Sequence, residues 1–290
     1  MPSSSFRTPT PTALDYFAAL VADDASLPLT EACAAIALDE QPAPDVQAVL
    51  AELDGLADRL KRRLPADAAP LQRLRALGRY FFQELGFAGN LNDYHARGNS
   101  YLHEVLRTRR GIPISLAVVY MELAGQIGLA ARGIAFPGHF LIKVKMPRGE
   151  VVIDPFSGQS LSREELDERL QPYKRRQGLQ GDFDMPLGLF LQAASARDIL
   201  ARMLRNLKEV HRAAEDWPRL VGVQQRLVLL LPRDAEERRD LGLARAELGL
   251  YAEAAEDLEA YAKHSPQAAD RHAMLERAGE LRRVGRPRLH

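Results

Sequence analysis

Ser115, His139 and Asp154 bring a nucleophile, a base and a carboxylate together in the middle of the chain. Ser115 stands in Arg109-Arg110-Gly111-Ile112-Pro113-Ile114-Ser115-Leu116-Ala117, at the start of a strongly apolar stretch. His139 follows Pro137-Gly138 at the head of an alternating run, and Asp154 closes Val152-Ile153 before Pro155-Phe156. A thiol at a helix N-terminus is held as thiolate by the helix dipole and the free N–H groups. A histidine then takes up the proton and a carboxylate fixes the imidazole. Nucleophile, His, Asp is the chain order of a cysteine-dependent acyl-transfer site, but the nucleophile position holds an alcohol. A serine cannot stand as its anion there; it needs concerted proton removal by His139 and donors for an oxyanion. The sequence offers no Gly-x-Ser-x-Gly elbow and no neighbouring Lys base. Each residue also has a local reading. Serine in a first turn satisfies an open N–H, a histidine after Pro-Gly can be a hydrogen-bonded structural residue, and an aspartate before proline caps a turn.

The elements that must position these residues are legible from periodicity. Pro44 to Arg63 carries Val46, Val49, Leu50, Leu53, Leu56 and Leu60 on one helical face, and Leu71 to Leu85 forms a second amphipathic helix. Gly86 and Gly89 punctuate a loop, and Tyr101 to Thr108 reads as a short helix. Pro113 to Ile127 is apolar nearly all round, the mark of a buried helix, with Pro113 in its first turn and Gly128 at its stop. The period then changes to two. Ala131 to Phe136, Phe140 to Met146 and Val151 to Asp154 read as strands, with Pro147-Arg148-Gly149 turning the last two into a hairpin. A Met146–Gly149 pair across that turn sets Asp154 opposite Leu141 and makes His139 its diagonal neighbour; a one-residue slip separates them. Ser162 to Leu170 is a short capped helix and Arg175 to Pro186 a polar, Gly-containing linker. Cys33 lies in a short helix capped by Thr30, as a small buried thiol.

The C-terminal third repeats. Trp217 and Tyr251 stand 34 residues apart, as do Pro232 and Pro266, and Leu207, Leu241 and Leu275 recur at the same step. That step is the tetratricopeptide period. Leu241-Gly242, Gly249, Tyr251, Ala254, Leu258 and Pro266 follow its pattern closely, with small residues at Gly242 and Ala254 where two helices approach.

Bulk properties narrow the function. The chain has 290 residues, 46% hydrophobic and 27% charged, with a formal net charge of zero. Zero net charge argues against a general attraction to nucleic acid or anionic membrane, and Lys174-Arg175-Arg176 and the tail Arg282-Arg283, Arg286 and Arg288 read as solvated surface. No apolar run has bilayer length. Met1 to Thr12 is rich in Ser, Thr and Pro and reads as a disordered lead-in. One cysteine allows no intrachain disulfide, which fits a cytoplasmic setting. No His/Cys/Asp cluster has metal-ligand spacing and no phosphate-cradling glycine loop is present, so neither a metal nor another cofactor is expected.

Asn92-Asp93-Tyr94, Asn99-Ser100-Tyr101-Leu102, Glu104-Val105-Leu106, Arg109 to Leu116, Phe136-Pro137-Gly138-His139-Phe140 and Ile153-Asp154-Pro155-Phe156 together resemble the SirB-type branch of the transglutaminase-like superfamily. The resemblance implies a mostly helical α+β fold: a papain-like core with a small antiparallel sheet, N-terminal helices and a C-terminal solenoid of tetratricopeptide repeats. Expected boundaries are 1–12 for the lead-in, 13–186 for the helical N-terminal part and core, and 187–290 for the repeats. It also implies that Ser or Thr is the usual occupant of the nucleophile slot. The expected function is a non-catalytic or vestigial core in a protein that binds a protein or peptide through its repeats. The alternative is a Ser-His-Asp hydrolase or acyltransferase acting on an amide or ester.

Overall fold

A computed structural model describes residues 11–179, 181 and 184–285. Most of the expected lead-in, and Arg286 and Arg288 of the basic tail, lie outside the described residues. The fold is mostly helical α+β. It divides into two compact units, one of residues 28–215 and one joining the chain up to Leu27 to Asp216 onward.

The first unit is built around α6 (Pro113–Gln126), whose residues from Pro113 to Tyr120 are all buried. Proline at its first position lacks only an N–H that the helix start leaves open anyway. Against α6 pack α2 (Leu29–Ala35), α3 (Val46–Lys61), α4 (Pro70–Gly78), α5 (Leu102–Thr108) and α9 (Ala196–Ala213), as well as the sheet. In α3, Asp45 caps the N-terminus by accepting from the N–H groups of Gln47 and Ala48, and Val46, Val49, Leu53, Leu56 and Leu60 are buried. The second expected helix is α4 followed by a π-helical turn, Arg79–Glu84, which buries Tyr80 and Phe81.

The sheet is antiparallel in the order β3 (Ala131–Ile134), β4 (Leu141–Met146), β5 (Gly149–Ile153), β6 (Ser160–Leu161). Met146 pairs with Gly149 and Ile142 with Ile153, so the hairpin has the register that puts His139 and Asp154 on one face. Gly149 adopts φ 95°, which the tight connection demands. A second, parallel pair joins β1 (Ala88–Gly89) to β2 (Arg110–Gly111). Both this pair and β6 are too short to leave a periodic trace in the sequence.

Several local expectations are corrected. Helix α2 starts at Leu29 after Pro28, so Thr30 is not its cap; the Thr30 hydroxyl instead donates to Glu122 Oε2 at 2.5 Å. Helix α7 (Arg163–Arg176) runs beyond Leu170 into the segment expected as linker, from a capping box formed by Ser162 and Glu165. Within the basic run Lys174 is buried, not solvated, and its ammonium pairs with Asp184 at 2.7 Å. A short α8 (Leu187–Phe190) and a bridge between Ile134 and Ala193 follow. Cys33 is fully buried beside Met203 Sδ at 3.4 Å, and burial pushes its thiol well up, leaving it unreactive.

The second unit contains α1 (Ala13–Leu20), α10 (Trp217–Leu230), α11 (Ala235–Glu247), α12 (Tyr251–His264) and α13 (Arg271–Val284). Thr12 caps α1 through a reciprocal bond pair with Asp15, and Phe17 is fully buried with the Arg226 guanidinium 5.7 Å above its ring. The 34-residue period has a plain structural meaning. Trp217 and Tyr251 begin α10 and α12, while Pro232 and Pro266 follow the ends of the same helices. A Cβ on Gly242 would lie 3.0 Å from the Leu258 side chain and 3.1 Å from the Ala254 carbonyl, so glycine sets the α11–α12 spacing. Asp270 fastens α13 back to its neighbours, accepting from Arg239 at 3.0 Å and from the Tyr261 hydroxyl at 2.5 Å. No helix among the described residues is long and apolar enough to cross a membrane.

Candidate functional site

Arg109 ends α5 in a left-handed conformation (φ 58°), its guanidinium stacked over Phe87 and bonded to Glu52 at 3.2 Å. The chain then crosses β2 and enters α6 at Pro113. Gly111 is required by close approach: a Cβ there would lie 2.7 Å from Ser115 Oγ. The motif Arg-Arg-Gly-Ile-Pro-Ile-Ser thus makes a tight turn into a buried helix, with Ser115 in its first turn.

Ser115 is fully buried. Its Oγ donates to the Asn99 carbonyl at 2.5 Å and accepts from the Ile112 N–H at 3.2 Å; the Ile112 carbonyl lies 3.1 Å away. The hydroxyl has one proton, and the short approach to Asn99 takes it. Ser115 therefore caps α6 and ties it to the turn Arg97–Ser100. The side chain of Asn99 is itself occupied, donating to the carbonyls of Asp93 and Tyr94 and accepting from Asn90. Among the described residues, Ser115 Oγ makes no hydrogen bond to His139 or Asp154.

His139 and Asp154 do meet. His139 follows Gly138 (φ 73°) at the entry to β4, and Asp154 follows β5. Nε2 of His139 lies 2.8 Å from Asp154 Oδ1. The same oxygen accepts from the Phe156 N–H at 2.9 Å, and Oδ2 accepts from Arg169 at 3.3 Å. Burial opposes the charge on Asp154, but the His139 bond and charge, the Phe156 N–H and Arg169 outweigh it and hold the carboxyl at about 2. An ionised carboxylate only accepts, so the proton of this contact belongs to Nε2, and Nδ1 is the ring's other nitrogen. Among the described residues Nδ1 has no hydrogen-bond partner. His139 is about a quarter exposed, whereas Asp154 is buried. Nδ1 is thus the ring atom left to meet a bound molecule; Gly89 lets the Phe156 ring approach, since any Cβ there would overlap it.

Arg169 was not singled out in the sequence. Its signal is weak but present: it lies between Leu166 and Leu170, both buried, so that α7 turns an arginine along its inner edge. No group of His, Cys, Asp and Glu able to hold a metal occurs among the described residues. A cleft of about 310 Å³ bordered by Val152, Leu161, Leu166 and Leu187 is lined by none of the three candidate residues.

Comparison with known proteins matches residues 47–205 to a model of the transglutaminase-like superfamily and residues 207–279 to a tetratricopeptide repeat model. A UPF0162 protein of Xylella fastidiosa is 37% identical over 84% of this chain and 86% of its own length. One of Pseudomonas aeruginosa is 34% identical over 77% of both chains. The UPF0162 protein YchA of Escherichia coli is 29% identical over 81% of this chain and 84% of its own.

Proposed function

The chain belongs to the UPF0162 family of the transglutaminase-like superfamily, and from that premise we propose that it is a binding protein and not an acyl-transfer enzyme. The core keeps the His139–Asp154 pair without a reactive nucleophile, and the repeats engage a protein or peptide partner. The observation that carries this reading is the commitment of Ser115: buried, donating at 2.5 Å to the Asn99 carbonyl, and without a bond to His139. A nucleophile must present a lone pair to substrate and a proton to its base; Ser115 gives its proton to the Asn99 carbonyl and a lone pair to the Ile112 N–H. Tetratricopeptide helices supply the binding surface that the reading needs. The single cysteine, buried and inert, is compatible with a reducing cytoplasmic setting.

A second reading has one observation in its favour: the 2.8 Å His139–Asp154 pair is the base-and-orienter half of a serine hydrolase. For that chemistry Ser115 must break its bond to Asn99 and turn outward on substrate binding. A fluorophosphonate probe separates the two. No adduct on Ser115 in folded full-length protein across the neutral to alkaline range is expected; an adduct that disappears in Ser115→Ala overturns the binding reading.

A further inference from the structure

Arg202 sits on α9, and its guanidinium lies over the Phe140 ring, 5.6 Å from the centroid. Phe140 is the residue after His139, its own ring buried against Gly133 and Ile199. The Tyr94 phenol is near enough to act on the Arg202 charge. The Tyr94 ring in turn lies 6.0 Å from Phe156, whose N–H holds Asp154. Arg202 therefore lies among residues that adjoin the His139–Asp154 pair: Phe140 in sequence, and Tyr94 by way of Phe156.

Among the described residues Arg202 makes no ion pair and no hydrogen bond. Three other half-buried arginines of this chain hold such partners: Arg239 and Arg245 hold carboxylates, and Arg73 holds the carbonyls of Ala68 and Ile127. Arginine cannot shed its charge in a protein, and burial without a counter-ion is unfavourable enough to pull the Arg202 guanidinium below its ordinary value. His139, the residue before Phe140, has its side chain about a quarter exposed, and its Nδ1 is a second polar group without a hydrogen-bond partner among the described residues. Tyr94 is half-exposed and Phe156 partly so, offering apolar faces at the same place.

We propose that this face of the core is a binding site for a small carboxylate, which pairs with Arg202 and lays its body against Tyr94 and Phe156 next to His139. One guanidinium presents a planar fork that matches one carboxylate. A phosphate dianion is a poorer fit, because the ionised Asp154 lies behind His139 and repels a second negative charge. The site belongs to the core alone. It holds whether the repeats bind a protein or Ser115 proves reactive, so failure of either reading leaves this proposal standing or falling on its own test.

The test is calorimetric titration of the full chain with N-acetylphenylalanine, with its amide, and with inorganic phosphate, at constant ionic strength. Saturable binding of the acid is expected, with none of the amide and weaker binding of phosphate. Arg202→Gln should weaken the acid by about tenfold or more, with Arg202→Lys intermediate. Ring resonances of His139 should move on titration with the acid. Failure of the wild-type protein to bind the acid overturns the proposal without any variant. Equal binding of acid and amide, tighter binding of phosphate, or unchanged affinity in folded Arg202→Gln overturns it as well. Should Arg202→Gln not fold, Tyr94→Ala removes a half-exposed ring instead, and unchanged affinity in that variant is equally fatal.

Discussion

Replacing Ser115 with alanine tests the central assignment in a quantity that structural and catalytic roles predict differently. The substitution removes Oγ from three contacts: the donated bond to Asn99 O at 2.5 Å, the accepted bond from Ile112 N at 3.2 Å, and the approach to Ile112 O. Asn99 O and Ile112 N are then left with only each other, at 3.4 Å. Loss of a helix-terminal side-chain bond costs about 0.5–2 kcal/mol. A buried carbonyl left poorly satisfied costs about 1–3 kcal/mol, and because the two effects share one hydroxyl the sum is roughly 2–3 kcal/mol. For a unit the size of residues 28–215 this lowers Tm by about 4–12 °C. Thermal denaturation followed by circular dichroism, paired with a urea titration, measures it. A Ser115→Ala protein that melts within about 1 °C of the parent would refute the reasoning, since a freely presented nucleophile can be truncated at little cost to stability.

Gly111→Ala drives a Cβ to 2.7 Å from Ser115 Oγ and about as close as packing allows to Leu116 and Val105; a loss of roughly 1–3 kcal/mol in urea unfolding is expected. Asp154 contributes stability that depends on pH. Its folded-state value is depressed to about 2, so the contribution is complete above the ordinary carboxylate range and is lost as pH falls from about 4 toward 2. A shift of that size is worth roughly 2 kcal/mol. Asp154→Asn should therefore flatten the acid limb of a stability-against-pH curve, and an unaltered limb would show that Asp154 is not held ionised by His139 and Arg169. In the repeats, Gly242→Ala gains about 1 kcal/mol of helix propensity, but its Cβ meets the unyielding Ala254 carbonyl at 3.1 Å. A net loss of about 1 kcal/mol in denaturant titration is the expected balance.

The sequence carries the parts of this fold that repeat or alternate. The apolar run of α6, the period-two run of β4 and β5, and the prolines that close α10 and α12 all express a regular spacing, and each sits where its pattern puts it. The hairpin register was accessible because the turn is short enough to leave few alternatives, and that register brings His139 to Asp154. What the sequence did not carry are contacts made once, between distant segments. The parallel pair of β1 and β2 is two residues long on each side, so it has no period to detect. The partner of Ser115 is a backbone carbonyl, which every residue possesses, and nothing in residue type marks Asn99 as the one that receives it. Thr30 fails as a cap for the converse reason: its type suits one, but α2 already starts at Leu29 after Pro28, and Glu122 is close enough to take the hydroxyl. Arg202 was silent because an arginine on a helix is ordinary until its missing partner is seen.

The shortness of the loops around the site also sets an order of events. Ser115 and Asn99 are 16 residues apart, and His139 and Asp154 are 15 apart. Closing loops of this length costs little entropy and takes on the order of 10–100 ns. The cap of α6 and the His139–Asp154 hairpin can therefore both form from local chain before the rest of the unit has condensed. Arg202 reaches Phe140 only when α9 docks across a much longer stretch of chain, so it enters a surface already made. Substitutions at Ser115 or in the β4–β5 hairpin should accordingly slow folding, whereas changes in α9 should mainly quicken unfolding.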